Sequence, residues 1–182
     1  IGKEEIFAAK KVLKSGDLSN FVGEKHKDFY GGFYVKKFEK KLCKFYKSKY
    51  AVTVNSWTSG LTTIMGAIGL EPGDEVLVSP WTMVASATAI LHWNAIPVFV
   101  DIEHDMYCMD PEKIEDQMTS RTKAILVIDI FGQSAEMDKI LSVARKHNLL
   151  VVSDCAQSPG TYYKGKLTGT LADIGGFSFN YH

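Results

Sequence analysis

This sequence has few cysteines, no surplus of charge of either sign and no long apolar run. Cys43, Cys108 and Cys155 are the three cysteines among 182 residues, and they stand far apart. That spacing excludes a disulfide framework and a Cys-x-x-Cys metal clip, and it fits a reducing, cytoplasmic setting. Lys and Arg total 21, as do Asp and Glu, for a formal net charge of zero. A nucleic-acid binder held by phosphate neutralisation, or a basic protein of the membrane surface, would carry an excess of cations. No run of about 18 apolar residues occurs, so no membrane-spanning helix is expected. Neither G-x-G-x-x-G after a strand nor G-x-x-x-x-G-K-[ST] is present, which excludes the usual dinucleotide and P-loop sites. No repeat or low-complexity tract breaks the chain.

What the chain has is a core. It is 46% hydrophobic and 23% charged, enough apolar surface for one ordinary domain. Val35, Phe38, Leu42, Phe45 and Tyr46 fall on one helical stripe, and Leu61, Ile64, Met65 and Ile68 on another. Ala51–Val54, Glu75–Val78, 96–100, 124–128 and 149–152 are short apolar or β-branched runs that read as strands. Between them the pattern predicts a helix over 82–93, one opened by Pro111, and one capped by Ser134 with Met137, Ile140, Leu141 and Ala144 on its inner face. Glu71–Asp74 is a turn. Near-continuous apolar strands alternating with helices predict an α/β fold with a mostly parallel sheet covered on both faces. The first 35 or so residues read as irregular, broken by Gly16, Gly23, Gly31 and Gly32, with Phe21, Phe29, Tyr30, Phe33 and Tyr34 between.

Ligands of such a sheet bind outside the carboxyl ends of its strands. After Ala51–Val54 comes Asn55-Ser-Trp-Thr58 and a helix start, where free N–H groups suit a phosphate or are simply capped. After Glu75–Val78 comes Ser79-Pro-Trp-Thr82, whose indole can stack on a planar ring or pack against the protein. After 149–152 comes Ser153-Asp-Cys-Ala-Gln157, whose carboxylate can meet a ligand cation or start a turn. Cys155 beside it reads as a small buried filler. The final stretch, Gly175-Gly-Phe-Ser-Phe-Asn-Tyr-His182, reads as a strand with Ser178 opposite Phe177 and Phe179. Asp101, Glu103, His104 and Asp105 read as a solvated acidic loop, and His26, His92 and His147 lack partners at metal spacing, so no metal site is expected.

The order of these segments is more specific than any one of them. Asn-Ser-x-Thr at a helix start, Pro-Trp-Thr, Asp-x-x-Gln after a late strand, then Phe-Ser-Phe resembles the DegT/DnrJ/EryC1/StrS family of sugar aminotransferases, which depend on pyridoxal 5'-phosphate (PLP). The opening Gly2-Lys-Glu-Glu-Ile-Phe, residues 60–100 and 122–160, and the stretch from Gly165 to Asp173 are similar to the family too, so the resemblance covers essentially the whole chain.

The resemblance implies a three-layer α-β-α large domain of fold type I, over residues 36–182. Residues 1–35 would contribute to the active site or to a dimer contact, and a C-terminal small domain would lie outside the sequence. It implies that the Trp57 backbone N–H and Thr58 hold the cofactor phosphate with Ser178. Trp81 would stack on the ring, Asp154 pair with the ring nitrogen, and Gln157 hydrogen-bond the ring hydroxyl. The family usually has a small residue where Trp57 stands. The Schiff-base lysine would come directly after His182, beyond the sequence. The implied reaction is ping-pong transfer of an amino group from glutamate to a nucleotide-linked keto sugar, in amino-sugar or surface polysaccharide biosynthesis, by a cytoplasmic homodimer. Two other readings are a sugar dehydratase of the same family, with His in place of the lysine, and a non-catalytic PLP-fold binding protein.

Overall fold

The structure is a computed structural model and describes residues 1–18 and 21–180. The chain divides into two compact units, Ile1–Thr53 and a second from Val54 onward. The first holds two helices, α1 (Lys3–Ser15) and α2 (Phe33–Tyr46). The second holds α3 (Trp57–Ala67), β1 (Glu75–Val78), α4 (Val84–Leu91), β2 (Ile96–Phe99), β3 (Thr122–Ile128), α5 (Met137–His147), β4 (Leu150–Asp154), β5 (Tyr162–Tyr163), β6 (Lys166–Leu167) and β7 (Ile174–Gly176).

Five strands form one sheet in the order β2-β1-β3-β4-β7, and every neighbouring pair is parallel. Val76, Leu77 and Val78 are all fully buried, as are Ala124 to Val127. Successive strand residues point to opposite faces, so both faces of β1 and β3 are covered. The cover on α3 and α4 comes from Leu61, Met65, Ala89 and Ile90, and that on α5 from Met137, Ile140 and Ala144. Leu141, on the same predicted face of α5, is partly buried. The segment that follows α4 locks it to α3: the Trp93 indole donates to the Thr62 carbonyl at 2.7 Å and fills the space where a Gly66 side chain would stand. β5 and β6 make a hairpin whose two turn residues, Lys164 and Gly165, both have positive φ, the geometry that a two-residue turn between twisted strands demands.

Several expectations are corrected. Ala51–Val54 is not a strand: it has no ladder partner among the described residues, and the Thr53 N–H goes to the Glu39 carboxylate at 2.8 Å instead. β-branched composition does not make a strand without a neighbour. The first 35 or so residues are only partly irregular: α1 spans 13 of them, with Glu4 and Glu5 in its first turn and Lys14 in its last, favourable at both ends of the helix dipole, while the described residues from Gly16 to Gly32 form no helix or strand. Pro111 opens a single 3-10 turn, followed by a second at Glu115–Gln117, rather than an α-helix. The helix expected over 82–93 is confined to α4, and Thr82 lies ahead of it. Ser134 does not cap α5: its hydroxyl donates to the Ala135 carbonyl, and Glu136 is the N-cap. The strand expected at 149–152 runs to Asp154, and the last strand stops at Gly176, leaving Phe177 to Asn180 outside the ladder.

Candidate active site

The chain runs from β1 outward to β2 and then returns to place β3 on the other side of β1. In an open parallel sheet such a reversal marks where a ligand sits, at the carboxyl ends of the strands. The segments leaving β1, β3, β4 and β7 at that edge carry Trp81, Phe131, Gln157 and Ser178. Asp154 is the last residue of β4, one position inside the edge, and is 5% exposed.

Three donors converge on Asp154. The Trp57 indole nitrogen lies 2.6 Å from Oδ1, the Ala156 backbone nitrogen 3.1 Å from the same oxygen, and the Ser86 hydroxyl 2.9 Å from Oδ2. The Ser86 proton is used on Asp154, so the Thr82 hydroxyl, 2.9 Å away, donates to Ser86. Thr82, just ahead of α4, and Ser86, in its first turn, stand four apart and form a polar pair. Burial pushes the Asp154 carboxyl above the usual carboxylate range, and the bonds from Trp57, Ala156 and Ser86 pull it partly back. Among the described residues no Lys, Arg or His pairs with it. A buried carboxylate with donors but no counter-ion is suited to a cationic ligand. A carboxylate offers about four acceptor positions; three are filled here, and the open one is on Oδ2.

The first turn of α3 presents the amides of Trp57 and Thr58, which have no acceptor within the helix. Ser56 caps the same turn by accepting from the Ser59 N–H at 3.1 Å. Thr58 is exposed, and its carbonyl accepts from the Thr62 hydroxyl. Ser178 accepts from the Asn180 N–H at 3.1 Å, which leaves its own proton to donate. Trp81 is 49% exposed, with its ring 6.3 Å from that of Tyr107 in a tilted arrangement. An indole so exposed retains area for a planar ligand.

Gln157 is fixed in a way that assigns its amide. Its Oε1 accepts from the Phe131 N–H at 3.1 Å. A backbone N–H can only donate, so the oxygen must face Phe131 and the NH2 group is turned outward as a donor. Phe131 holds this position in a left-handed conformation, φ 53°, unusual for a residue with a side chain.

The structure thus joins Asp154 to Trp57 and to the Thr82–Ser86 pair, and Gln157 to Phe131. It draws no direct bond between these groups and Ser178 or Thr58. Sequence reading gave Trp57 a backbone role only and missed Ser86, although the Thr82–Ser86 spacing was the available signal. It also missed Asp129, which follows an apolar strand as Asp154 does. Asp129 is buried, which raises its carboxyl, and it accepts from the Ala135 N–H at 2.9 Å and the Cys155 thiol at 3.1 Å. Cys155 is fully buried, and burial pushes its thiol far up, in keeping with a filler and not a nucleophile. Glu103 accepts from the backbone N–H groups of Asp105 and Met106, so it ties its own loop. His182 lies outside the described residues.

The chain is 42% identical over 179 residues to the spore coat polysaccharide biosynthesis protein SpsC of Bacillus subtilis, covering 98% of this chain and 43% of that protein. It is 44% identical over 145 residues to a dTDP-3-amino-3,6-dideoxy-α-D-galactopyranose transaminase of Aneurinibacillus thermoaerophilus, covering 80% of this chain and 40% of the relative. The crystal structure of NtdA from Bacillus subtilis, with bound cofactor PMP, superposes with a TM-score of 0.84 at 30% identity, covering 99% of this chain and 39% of that one. The chain therefore spans less than half the length of the relatives it matches. A protein of this fold thus holds PMP as its cofactor. The family's sequence pattern also matches residues 1–182, and the chain belongs to the DegT/DnrJ/EryC1/StrS aminotransferase family.

Proposed function

We propose that this chain is the cofactor-binding part of a PLP-dependent aminotransferase that moves an amino group from glutamate to a nucleotide-linked keto sugar, in amino-sugar or surface polysaccharide biosynthesis. The observation that carries the reading is Asp154: buried, met by three donors, without a counter-ion, and open at one position of Oδ2. The sugar transaminase among the relatives supports the substrate class.

When bound, PLP supplies an electron sink that lets the C–H bond beside an amine break. Asp154 keeps a proton on the ring nitrogen, and that charge makes the sink effective. The Trp57 and Thr58 amides and the Ser178 hydroxyl hold the phosphate, which is an anion at the positive end of α3. Trp81 covers one ring face and excludes water from it. Gln157 presents its NH2 group to the ring hydroxyl. The lysine expected directly after His182 would hold the cofactor and would serve as base and then acid for the substrate proton.

We further propose a cytoplasmic homodimer to which residues 1–35 contribute. Phe21 is 60% exposed, Tyr30 77% and Phe33 67%, an apolar display that suits a partner copy. Sedimentation of the full-length protein tests this, and a fully active monomer contradicts it.

The test of function is reduction of the PLP-reconstituted full-length protein with borohydride, followed by peptide mapping. The expected product is a phosphopyridoxyl lysine next to His182, together with a visible absorption band that glutamate discharges. A protein that takes up no PLP overturns the reading. PLP uptake without a lysine adduct favours the dehydratase chemistry of the same family.

A further inference from the structure

We propose that the Trp57 indole is a positioning group for the cofactor: with the Ala156 amide it saturates Oδ1 of Asp154 and so commits Oδ2 to the ring nitrogen. This rests on the PLP reading above.

The indole nitrogen stands 2.6 Å from Oδ1, and Ala156 N 3.1 Å from the same atom. Both are donor-only groups. Neither can accept from a carboxylic O–H, so a proton on Asp154 has no place on Oδ1 without loss of a bond. Oδ2 differs, because its partner Ser86 carries a hydroxyl that can donate or accept. The two oxygens are thereby made unequal: one is closed as a pure acceptor, the other shared between Ser86 and an open position.

The indole is itself held. A side chain on Gly60 would stand 2.7 Å from a ring carbon of Trp57, and a Gly176 side chain would overlap the ring outright. Trp57 thus lies in a slot that two residues without side chains leave for it. Gly176 belongs to β7, which pairs with β4 and places Gly176 opposite Asp154. A large ring at a helix start, seated on the strand next to the carboxylate and aimed at it, goes beyond filling space. The Trp57 bond is also the foremost influence opposing the effect of burial on that carboxyl.

The experiment compares the affinity of apo full-length protein for PLP and for 1-deaza-PLP, in which C–H replaces the ring nitrogen. Wild type should prefer PLP by about tenfold or more, the size of one charged hydrogen bond. Trp57→Phe keeps a ring in the slot and removes the N–H. Its preference should fall to about threefold or less, with deaza-PLP affinity within about twofold of wild type. Incorporation of 3-benzothienylalanine at position 57 keeps the bicyclic shape and should behave the same way, which guards against a Phe variant that folds poorly. Equal loss of both ligands in both variants, or an unchanged preference, overturns the role of Trp57. If wild type itself binds neither ligand, the PLP reading fails first and this inference with it.

Discussion

The Phe131 N–H donates to Oε1 of Gln157 at 3.1 Å, and so joins the segment after β3 to the segment after β4. Because that bond fixes which end of the amide is oxygen, it also fixes what Gln157 offers a ligand. Gln157→Glu keeps an acceptor for Phe131 but replaces the outward donor with a second oxygen. PLP affinity of the apo full-length protein should fall by about tenfold or more, as expected when a donor facing an oxygen is lost. Fluorescence titration measures it, and an unchanged affinity contradicts a contact between Gln157 and the ring hydroxyl.

Asp154→Asn should preserve the fold and lower turnover by about 100-fold, since a charged hydrogen bond felt mainly in the transition state has that weight. A variant within twofold of wild type refutes the role of the carboxylate.

The same residue gives a pH dependence. Burial raises the folded-state pKa of Asp154 above its ordinary value. An acid raised in this way binds its proton more readily when folded, so its ionised form costs stability above the raised pKa, and the cost fades as pH falls through it. In thermal melts of the apo protein, wild type should gain on Asp154→Asn as pH falls through the raised pKa toward the ordinary carboxylate range. A gap that moves the other way contradicts the assignment.

Gly176→Ala should destabilise the protein by about 1–3 kcal/mol, because the added methyl overlaps the Trp57 ring. Trp57→Ala in the same chain should relieve part of the loss. Denaturant melts of the two single variants and the double variant decide it, and strict additivity means that the two residues do not compete for the same space.

Glu75 should stabilise the sheet with the opposite sign of pH dependence. Its carboxylate is held low, first by the Thr119 hydroxyl and also by Arg121, whose Nη2 lies 2.6 Å from Oε1. Its contribution is present above the ordinary carboxylate range and is lost as pH falls through the lowered pKa. Glu75→Gln should melt a few degrees lower at neutral pH and match wild type in acid; a difference that persists in acid rejects the ionic origin.

The central strands were legible because burial on both faces leaves runs such as Val76-Leu77-Val78 and Ile125-Leu126-Val127 with no polar interruption. The inner face of α5 was legible by its period, and Asp154 by its position after such a run. Ala51–Val54 misled because strand propensity reports how a side chain fits a sheet, not whether a neighbouring strand is there. In α1 no residue is buried, so a search for a core-facing stripe passes over a helix marked mainly by its end charges. The reach of the Trp57 indole to Asp154 spans 97 positions. It depends on the absence of side chains at Gly60 and Gly176, and no local pattern encodes that.

The strand order also governs how the sheet can be assembled. β2 adds beside β1, β3 to the other side of β1, β4 to β3, and β7 to β4. Among the described residues no strand is inserted between two that are already paired. Each new strand meets an edge built from chain that precedes it, so this sheet can grow outward in the order of synthesis, without reopening a finished ladder.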